Sequence, residues 1–314
     1  MSWDRPRVLV AHSKMAPELA PRIEAEVPVR RAEVVGDLSP AERAGVEVLV
    51  GYQFPPGVLA ELPALRWLHL TGTGTDHLAA AGLTPGVLVT NAARVPVESV
   101  AEYAVAALFM LLKDFPALPV RPPWYTSRAV LLDGSTVVVL GGSGRIGRAV
   151  IRRLTALGAR CVAVTRTGRT PVPLAYRTVP VDRLVEAAAD ADHLVGCLPA
   201  TPTALVDKEV LAALPPHAAF VNVGRSSTVD DQALHEALRA GRIRGAFLDV
   251  HHTEPLPDDD PAWSVPNLVV SPHRAFAFPG EPAEVARTFL DNLADLRAGR
   301  PARDAVIVPH KEDS

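Results

Sequence analysis

The sequence predicts an α/β protein built on parallel sheets, and two observations carry that prediction. Short apolar runs, of the kind that form strands buried on both faces, alternate with helix-like segments along most of the 314 residues. A turn of closely spaced glycines follows one of these runs and opens a helical pattern. Hydrophobic residues make up 48% of the chain and charged residues 21%, as in ordinary globular proteins, and the length allows one large or two medium domains.

Charge and hydropathy argue against several classes of partner. The formal net charge of -3 gives no basic surface for nucleic acid and no strong field for a membrane surface. The apolar run at 8–11 is too short for the core of a signal peptide, and no window approaches the roughly 20 apolar residues needed to span a bilayer. Cys161 and Cys197 show no metal-ligand spacing. We therefore expect a cytoplasmic protein that binds no nucleic acid, membrane or metal.

The first third of the chain predicts a small parallel sheet. Pro- and Ala-rich pieces that suit short helices separate strand-like runs at 7–11, 46–50, 65–70 and 87–90. The longest helix candidate, 97–115, comes next. The proline-dense stretch at 116–130 cannot be regular structure, so it reads as a long excursion before a second domain.

A second, larger sheet is predicted from Ser135 onward. The strand 136–140 leads into the glycine turn 141–147, and a helix follows that ends at Gly158. Further strand-like runs lie at 160–165, 193–198, 219–223, 245–250 and 267–271. Six strands with right-handed crossovers form the doubly wound, Rossmann-type fold that binds dinucleotides. Helices are also predicted at 230–241 and 284–299.

The glycine turn fits the pattern G-x-G-x-x-G. The pattern is a weak signal alone, but here it follows a strand and opens a helix, which is the context that gives it meaning. We expect Gly142 to allow the tight turn, Gly144 to let a pyrophosphate approach the backbone, and Gly147 to let the helix pack on the strand. The N–H groups that begin the helix would then face the phosphates.

The loop after the second strand of this sheet lacks the acid that would hold the ribose hydroxyls of NAD. No Asp or Glu occurs between Arg160 and Val181, and the loop instead carries Thr165, Arg166, Thr167, Arg169 and Thr170. A carboxylate would repel a 2′-phosphate, whereas guanidinium groups and hydroxyls bind one. This pattern favours NADP(H) and leaves NAD(H) possible. The alternative is a solvated basic loop with no role in binding.

Polar side chains follow the last three predicted strands, at the edge where ligands bind in open α/β sheets. The fourth strand leads to Arg225, the fifth to Asp249 and Glu254, and the sixth to His273. Reduction of a ketone by hydride needs a proton, which His273 can supply. Glu254 is suited to fix the tautomer of that histidine, and Arg225 is suited to bind a substrate carboxylate.

Together these motifs resemble those of the D-isomer-specific 2-hydroxyacid dehydrogenases. The resemblance covers nearly the whole chain and rests, in the family's order, on GGSGRIG (141–147), LPATPTA (198–204), NVGRSS (222–227), DVHHTEPLP (249–257) and SPHRA (271–275). It implies that Arg225 holds the substrate, that His273 is the catalytic acid/base and that Glu254 is its partner. It also implies that Asp249 faces the nicotinamide end of the cofactor.

The resemblance implies further contacts with cofactor and substrate. Besides the glycines and the loop after the second strand, the cofactor contacts are Arg145, Ile146, Leu198, Pro199, Thr201, Val223 and Gly224. The substrate contacts are Tyr52 and the backbone N–H groups around Thr73 and Gly74. For Tyr52 local packing is an alternative, and for the Thr-Gly pair a simple turn.

Three positions need separate comment. His251 and His252 compete with His273 for the catalytic role, but they precede a proline-rich loop, which predicts solvated positions. His251 also stands where the family usually has an aromatic residue. Ser226 stands where glycine usually follows the arginine, which leaves the local backbone conformation open.

The family fold implies a split domain arrangement. Residues 1–97 and 285–314 would form a smaller, flavodoxin-like α/β domain that binds substrate, and residues 98–284 would bind the dinucleotide. Family members are usually homodimers through the cofactor domain. In some glyoxylate and hydroxypyruvate reductases a tryptophan from the proline-rich excursion reaches the neighbouring active site, and Trp124 is placed for that role.

The predicted function is hydride transfer between NADP(H) and a small 2-oxo acid or D-2-hydroxy acid, such as glyoxylate or hydroxypyruvate. One alternative keeps the fold and changes the substrate to a bulkier or phosphorylated 2-oxo acid. A second alternative comes from another class of protein, a dinucleotide-sensing scaffold like the transcriptional corepressors that share this fold and these residues.

Overall fold

The computed structural model describes residues 3–118 and 129–307. The chain divides into two compact units, the first formed by residues 1–96 and 278–314 and the second by residues 97–277. Each unit is an α/β structure with its own sheet, which confirms the predicted fold class. In the part that the structure describes, no helix is long and apolar enough to cross a membrane.

The strands and helices are numbered in chain order. The strands are β1 (Val8–Ala11), β2 (Val29–Ala32), β3 (Val48–Gly51), β4 (Trp67–Leu70), β5 (Leu88–Asn91), β6 (Thr136–Leu140), β7 (Arg160–Thr165), β8 (Arg177–Pro180), β9 (His193–Gly196), β10 (Ala219–Asn222), β11 (Gly245–Leu248), β12 (Leu268–Val270) and β13 (Ala305–Ile307). The α-helices are α1 (Ala16–Glu24), α2 (Pro40–Arg43), α3 (Val97–Leu112), α4 (Arg145–Ala156), α5 (Leu184–Ala189), α6 (Lys208–Ala213), α7 (Asp231–Arg239) and α8 (Glu281–Arg297).

The first unit contains a six-stranded sheet in the order β13-β5-β4-β3-β1-β2. Only β13 is antiparallel to its neighbour. All residues of β1, β3, β4 and β5 are buried, which explains why apolar runs predicted these four strands. Helices α1 and α8 pack on one face, where Trp67 of β4 stacks on Phe289 of α8 with a centroid distance of 4.7 Å.

The second unit contains a seven-stranded parallel sheet in the order β12-β11-β10-β9-β6-β7-β8. The chain runs from β6 to β8 in one direction and then returns to the other side of β6 with β9. This reversal of strand order is where doubly wound sheets bind their ligands, outside the carboxyl ends of the strands. The side chains of β6, β9, β10 and β11 are buried, and they form the middle of the core.

Two predictions for the second sheet are wrong. The sheet has seven strands rather than six, because β8 is an edge strand with only one buried residue and a terminal proline, and an apolar run therefore does not reveal it. The strand expected to be buried at 267–271 is β12, which lies at the opposite edge with all three of its residues half-buried. The residues named above as following the fourth, fifth and sixth strands therefore follow β10, β11 and β12.

Candidate active site

The glycine turn after β6 leaves the start of α4 open to an anion. Gly144 is the N-cap, and the first hydrogen bond of the helix runs from the N–H of Arg148 to the Gly144 carbonyl at 3.0 Å. The N–H groups of Arg145, Ile146 and Gly147 therefore have no acceptor within the helix. Together with the positive end of the helix dipole, these groups make a position suited to a phosphate.

Close packing explains the outer glycines of the motif. A Cβ on Gly147 would lie 2.3 Å from the carbonyl oxygen of Gly141, so glycine lets the helix pack on the turn rather than on the strand that was predicted. A Cβ on Gly142 would lie 2.7 Å from the Cβ of Ala163 in β7. Gly142 is therefore needed for the close approach of the turn to β7, and the residue of the turn with positive φ, +76°, is the preceding Gly141. At Gly144 the nearest atom to a Cβ would be 3.2 Å away.

A cavity of about 350 Å³ lies beside this turn. Its lining comes from the turn, from α4 and from the loop after β7, and consists of Ser143, Arg148, Thr165, Arg166, Thr167, Thr170, Pro171 and Val172. Thr165 stabilises the loop by accepting a hydrogen bond of 3.0 Å from the N–H of Gly168. Gly168 has a φ of +65°, and a Cβ there would lie 2.5 Å from the backbone nitrogen of Pro180. The loop is therefore fixed by its glycine and by Thr165.

The cavity lining carries two guanidinium groups, four hydroxyls and no carboxylate. Neither Arg148 nor Arg166 forms an ion pair with any residue in the described part of the chain. Of the loop residues predicted to bind cofactor, Arg166 and the threonines line the cavity, whereas Arg169 does not. The sequence analysis missed Arg148. The sequence feature that could have predicted Arg148 is its position one turn after Gly144, on the helix that the glycine motif opens.

Arg225 follows β10 on a loop that Asn222 holds in place. The buried Asn222 amide donates to the carbonyl oxygen of Arg225 at 3.1 Å, and its side-chain oxygen accepts from the N–H of Gly224 at 3.1 Å. The Thr228 hydroxyl donates to the same Arg225 carbonyl at 2.6 Å. Ser226 begins a short 3-10 helix and has no positive φ, so serine fits the position where the family usually has glycine.

The loops after β9 and β10 approach each other closely. A Cβ on Gly224 would lie 2.4 Å from the carbonyl oxygen of Leu198, and the N–H of Thr201 donates to the Ser227 hydroxyl at 3.2 Å. Val223 is buried between them, with its N–H bonded to the end of β9. The structure thus brings these residues together at one edge of the sheet, and their contact with a cofactor stays a prediction.

His273 and Glu254 form a hydrogen-bonded pair just beyond β12 and β11. Nδ1 of His273 lies 2.7 Å from Oε2 of Glu254, and the two side chains are 37% and 36% exposed. Within the described residues, Nε2 of His273 forms no hydrogen bond or ion pair. The backbone of His273 has a φ of +51°, a left-handed conformation that histidine rarely adopts and that surrounding contacts must hold.

The carboxylate of Glu254 fixes the protonation of that pair. Burial alone raises the pKa of Glu254, but hydrogen bonds from His273 and from the N–H of His251 outweigh it, and the net pKa lies below its ordinary value. Glu254 is therefore ionised at neutral pH and can only accept hydrogen bonds. It follows that Nδ1 of His273 carries a hydrogen, which makes Nε2 the atom that exchanges a proton with a ligand.

His251 does not occupy the solvated position that the sequence predicted. Its N–H donates to Oε1 of Glu254 at 2.9 Å, and its Nε2 donates to the carbonyl oxygen of Ser271 at 2.9 Å. The histidine thereby joins the end of β12 to the loop that carries Glu254, because its imidazole, unlike a phenyl ring, can donate a hydrogen bond. His252 is exposed, as predicted, and lies 3.6 Å from Asp231.

Asp249 organises the turn that contains His273. This buried carboxylate accepts hydrogen bonds from the Ser271 hydroxyl at 2.5 Å and from the N–H groups of Arg274 and Ala275, both at 2.9 Å. Because Ser271 donates to Asp249, its oxygen accepts the hydrogen bond of 2.8 Å from the Tyr103 hydroxyl of α3. These bonds flank His273 on both sides. Sequence reasoning gave Asp249 a cofactor contact and missed its hold on this turn.

Besides Arg225, the residues predicted to bind substrate are Tyr52, Thr73 and Gly74, which lie in the first unit after β3 and β4. The Tyr52 ring packs against Gly72, and a Cβ on that glycine would lie 2.6 Å from the ring. The same ring meets the His77 ring edge-on, with a centroid distance of 4.9 Å. The Thr73 carbonyl accepts from the Asn91 side chain at 2.8 Å. The N–H groups of Thr73 and Gly74 donate to no atom of the described residues, so they are open to a ligand.

Two further predictions concern Trp124 and the binding of a metal ion. Trp124, proposed to reach a neighbouring site, lies outside the described residues. Among the residues that the structure does describe, no group of three or more His, Cys, Asp or Glu side chains could hold a metal ion.

Known proteins are similar to this chain in sequence and fold. The family model of the D-isomer specific 2-hydroxyacid dehydrogenase NAD binding domain matches residues 122–275. A glyoxylate/hydroxypyruvate reductase of Arabidopsis thaliana is 32% identical over 78% of this chain and 77% of its own. The chain belongs to the D-isomer specific 2-hydroxyacid dehydrogenase family.

Other relatives from this dehydrogenase family differ in length. The D-3-phosphoglycerate dehydrogenase of Mycobacterium bovis is 35% identical over 69% of this chain, which spans only 42% of that longer enzyme. A crystal structure of the NADPH-dependent glyoxylate/hydroxypyruvate reductase of Sinorhizobium meliloti superposes with a TM-score of 0.83 at 32% identity and covers 98% of this chain and 100% of its own. That reductase has also been crystallised with NADP and malonate, and that structure is 31% identical to this chain.

Proposed function

We propose that the protein reduces a small 2-oxo acid, of the glyoxylate or hydroxypyruvate type, with NADPH, and that the reverse reaction oxidises the matching D-2-hydroxy acid. The observation that carries this proposal is the 2.7 Å hydrogen bond between Nδ1 of His273 and Glu254, which leaves Nε2 of the imidazole for a ligand. The Sinorhizobium meliloti reductase, which uses NADPH, supports it by similarity.

His273 supplies the proton for the alkoxide that forms on the ketone oxygen. In the protonated imidazolium both ring nitrogens carry hydrogen, and Glu254 holds the one on Nδ1. Nε2 then gives its proton to the substrate oxygen, and the ring becomes neutral with its hydrogen on Nδ1. The carboxylate of Glu254 stabilises the imidazolium before this transfer and fixes the ring throughout.

Arg225 binds the carboxylate of the 2-oxo acid. A guanidinium can hold a carboxylate through two parallel hydrogen bonds, and it also stabilises negative charge on the neighbouring carbonyl oxygen. The loop that carries Arg225 is fixed by Asn222, so the guanidinium starts from an ordered backbone. The open N–H groups of Thr73 and Gly74 are the second carboxylate contact that we propose.

The cofactor, when bound, supplies the hydride. The residues present fit NADP: the free N–H groups at the start of α4 suit the pyrophosphate, and the cavity beside them, with two guanidinium groups and no carboxylate, suits a 2′-phosphate. A ribose with free hydroxyls would find no acid in that cavity to accept its hydrogen bonds.

The test is a substrate panel with both cofactors. Loss of nicotinamide absorbance would be followed for glyoxylate, hydroxypyruvate, phosphohydroxypyruvate and phenylpyruvate, each with NADPH and with NADH. We expect kcat/KM to be highest for one of the two small acids with NADPH. A clear preference for NADH contradicts the cofactor assignment, and no reduction of any 2-oxo acid contradicts the reaction.

A phosphorylated substrate is the second candidate. The similarity to D-3-phosphoglycerate dehydrogenases favours it, although this chain spans less than half of those proteins. Phosphohydroxypyruvate in the same panel decides between the two, because a phosphate-specific site would leave glyoxylate nearly unreduced. A dinucleotide-sensing scaffold would bind NADPH and reduce none of the acids.

We also propose a cytoplasmic homodimer, as family members usually are. The formal net charge of -3 over 314 residues offers no basic surface for nucleic acid or membrane. Light scattering coupled to size-exclusion chromatography would measure a mass of twice 33.4 kDa for the dimer, and a single-chain mass contradicts it.

A further inference from the structure

We propose that Arg148 is a second specificity-determining residue for the cofactor and that it grips the 2′-phosphate together with Arg166. This inference rests on the proposed use of NADP(H). Arg148 belongs to α4, whereas Arg166 belongs to the loop after β7, yet both line the same cavity of about 350 Å³. Two guanidinium groups that approach from separate elements can enclose a dianion in a way that one loop cannot.

The arginines of α4 differ in what they contact. Arg152 and Arg153 lie later in the helix, and both form ion pairs with Glu98 of α3, at 2.7 Å for Arg152. Arg153 forms a second ion pair with Glu102 at 3.1 Å. Arg148 has no carboxylate partner among the described residues. Ion pairing with α3 therefore accounts for the later arginines and leaves Arg148 without a structural role of that kind.

The position of Arg148 is electrostatically unfavourable for the helix by itself. The first turn of α4 contains no acidic residue, and Arg145 and Arg148 put two positive charges near the positive end of its dipole. A dianion bound in the cavity would make the electrostatic energy of these positive charges favourable, because it is attracted to both guanidinium groups and to the N-terminus of the helix.

The four hydroxyls of the lining complete a site for a phosphate monoester. Ser143 comes from the glycine turn, Thr165 ends β7, and Thr167 and Thr170 come from the loop that follows. Hydroxyls can donate to phosphate oxygens, and the lining contains no carboxylate to compete for the guanidinium groups. The ligand class is therefore an adenosine that carries a phosphate on its 2′-oxygen.

The experiment measures binding rather than turnover. Isothermal titration calorimetry on the full chain would give Kd for adenosine 2′,5′-bisphosphate and for adenosine 5′-monophosphate, which differ only in the 2′-phosphate. For Arg148→Gln we expect the bisphosphate to bind about tenfold more weakly, with the monophosphate changed less than about twofold. Arg148→Lys keeps the charge and should recover part of the loss. Arg152→Gln, on the same helix but outside the cavity, should change neither.

The pH dependence adds a readout that a purely structural arginine would not move. A phosphate monoester gains its second charge near a pKa of about 6, so the preference for the bisphosphate should fall as pH drops through that value. The 5′-phosphate is common to both probes and cancels in the ratio. In Arg148→Gln this preference should fall less steeply with pH. The variant has lost one of the two guanidinium groups that attract the dianionic phosphate more strongly than the monoanionic one.

The outcomes separate this inference from the proposed function. If the unmodified protein binds both nucleotides equally, the NADP(H) preference is wrong and the role of Arg148 falls with it. If the unmodified protein prefers the bisphosphate and Arg148→Gln keeps that preference in full, NADP(H) use stands and the role of Arg148 is wrong. A similar loss with Arg152→Gln would assign the effect to the charge of the helix as a whole and also contradict it.

Discussion

The two parallel sheets of this chain differ in what their carboxyl ends carry. In the second unit, Arg225, Glu254 and His273 follow three strands, so the sheet edge is rich in groups that ionise or move protons. In the first unit, the corresponding edge offers the backbone N–H groups of Thr73 and Gly74 after β4, and its ionisable groups include His12 after β1 and His77 in the loop after β4. We propose that proton transfer belongs to the edge of the second unit, and the first predictions below test that assignment.

The largest effect is expected at His273. Asparagine in its place can hydrogen-bond but cannot give up a proton at neutral pH, so we expect kcat for reduction to fall about a thousandfold. The Kd for NADPH, measured by fluorescence titration, should stay within about twofold, because the change lies away from the proposed phosphate contacts. His252→Asn is the matched control on an exposed histidine and should leave kcat unchanged. Undiminished reduction by His273→Asn would remove the assigned role.

A smaller loss is expected at Glu254. Glutamine keeps one hydrogen bond to Nδ1 but removes the negative charge that favours the imidazolium, so we expect kcat to fall about a hundredfold. The alkaline limb of the pH profile for reduction should also move to lower pH, because the protonated ring loses its stabilising partner. Asp259→Asn makes the same charge change on the same loop at an exposed position. If both variants shift the profile equally, the pairing with Glu254 is not the cause.

Asp249 should matter through the backbone. Asparagine offers one acceptor oxygen and turns an N–H donor toward N–H groups, so we expect the free energy of unfolding to fall by about 2 to 3 kcal/mol. Ser271→Ala removes one of the three bonds to this carboxylate and also the bond from Tyr103, and Tyr103→Phe in the same background measures the second of these separately. Urea unfolding of all three variants measures this. If Asp249→Asn costs no more than Ser271→Ala after the cost of Tyr103→Phe is subtracted, the two backbone bonds contribute nothing.

The sequence predicted those elements and residues that a characteristic residue type marks. Buried runs of apolar residues predicted the central strands, and the spacing of Arg225, Glu254 and His273 predicted which side chains lie near the edge of the second sheet. It failed for β2, whose two arginines are exposed, and for the edge strand β8, because these strands are not apolar along their length.

Positioning residues were missed for a different reason. Tyr103 bonds Ser271 from a helix that lies 168 residues away in sequence, and no local pattern encodes such a contact. Asn222 looked like any polar residue at a strand end until its bonds to the Arg225 loop were visible. The groups that perform chemistry are few in type and can be predicted from sequence, whereas the groups that hold them can be almost any polar residue.

The smallest effect concerns the first unit, where the ionisable group lies inside the sheet rather than at its edge. His69 is fully buried in β4, with Nδ1 2.7 Å from the Thr90 hydroxyl and Nε2 without a partner among the described residues. Burial lowers the pKa of His69 to about 3, with a further contribution from the charge of Arg94. In the unfolded chain the same histidine would take up a proton near its ordinary pKa of 6.5.

Acid should therefore destabilise the first unit through this residue. The folded pKa lies below the unfolded one, so the unfolded chain binds the extra proton, and stability that is present above pH 6.5 is lost progressively as pH falls toward 3. Between pH 7 and pH 5 the loss from His69 should be about 2 kcal/mol. Urea unfolding followed by the fluorescence of the neighbouring Trp67 would measure it, and His69→Leu should show a pH dependence weaker by that amount.

His193, buried in the second unit with its pKa lowered to about 4, titrates independently, so His193→Leu should leave the His69 share unchanged. If His69→Leu loses as much stability on acidification as the unmodified chain, the buried histidine is not the acid-sensitive group of the first unit.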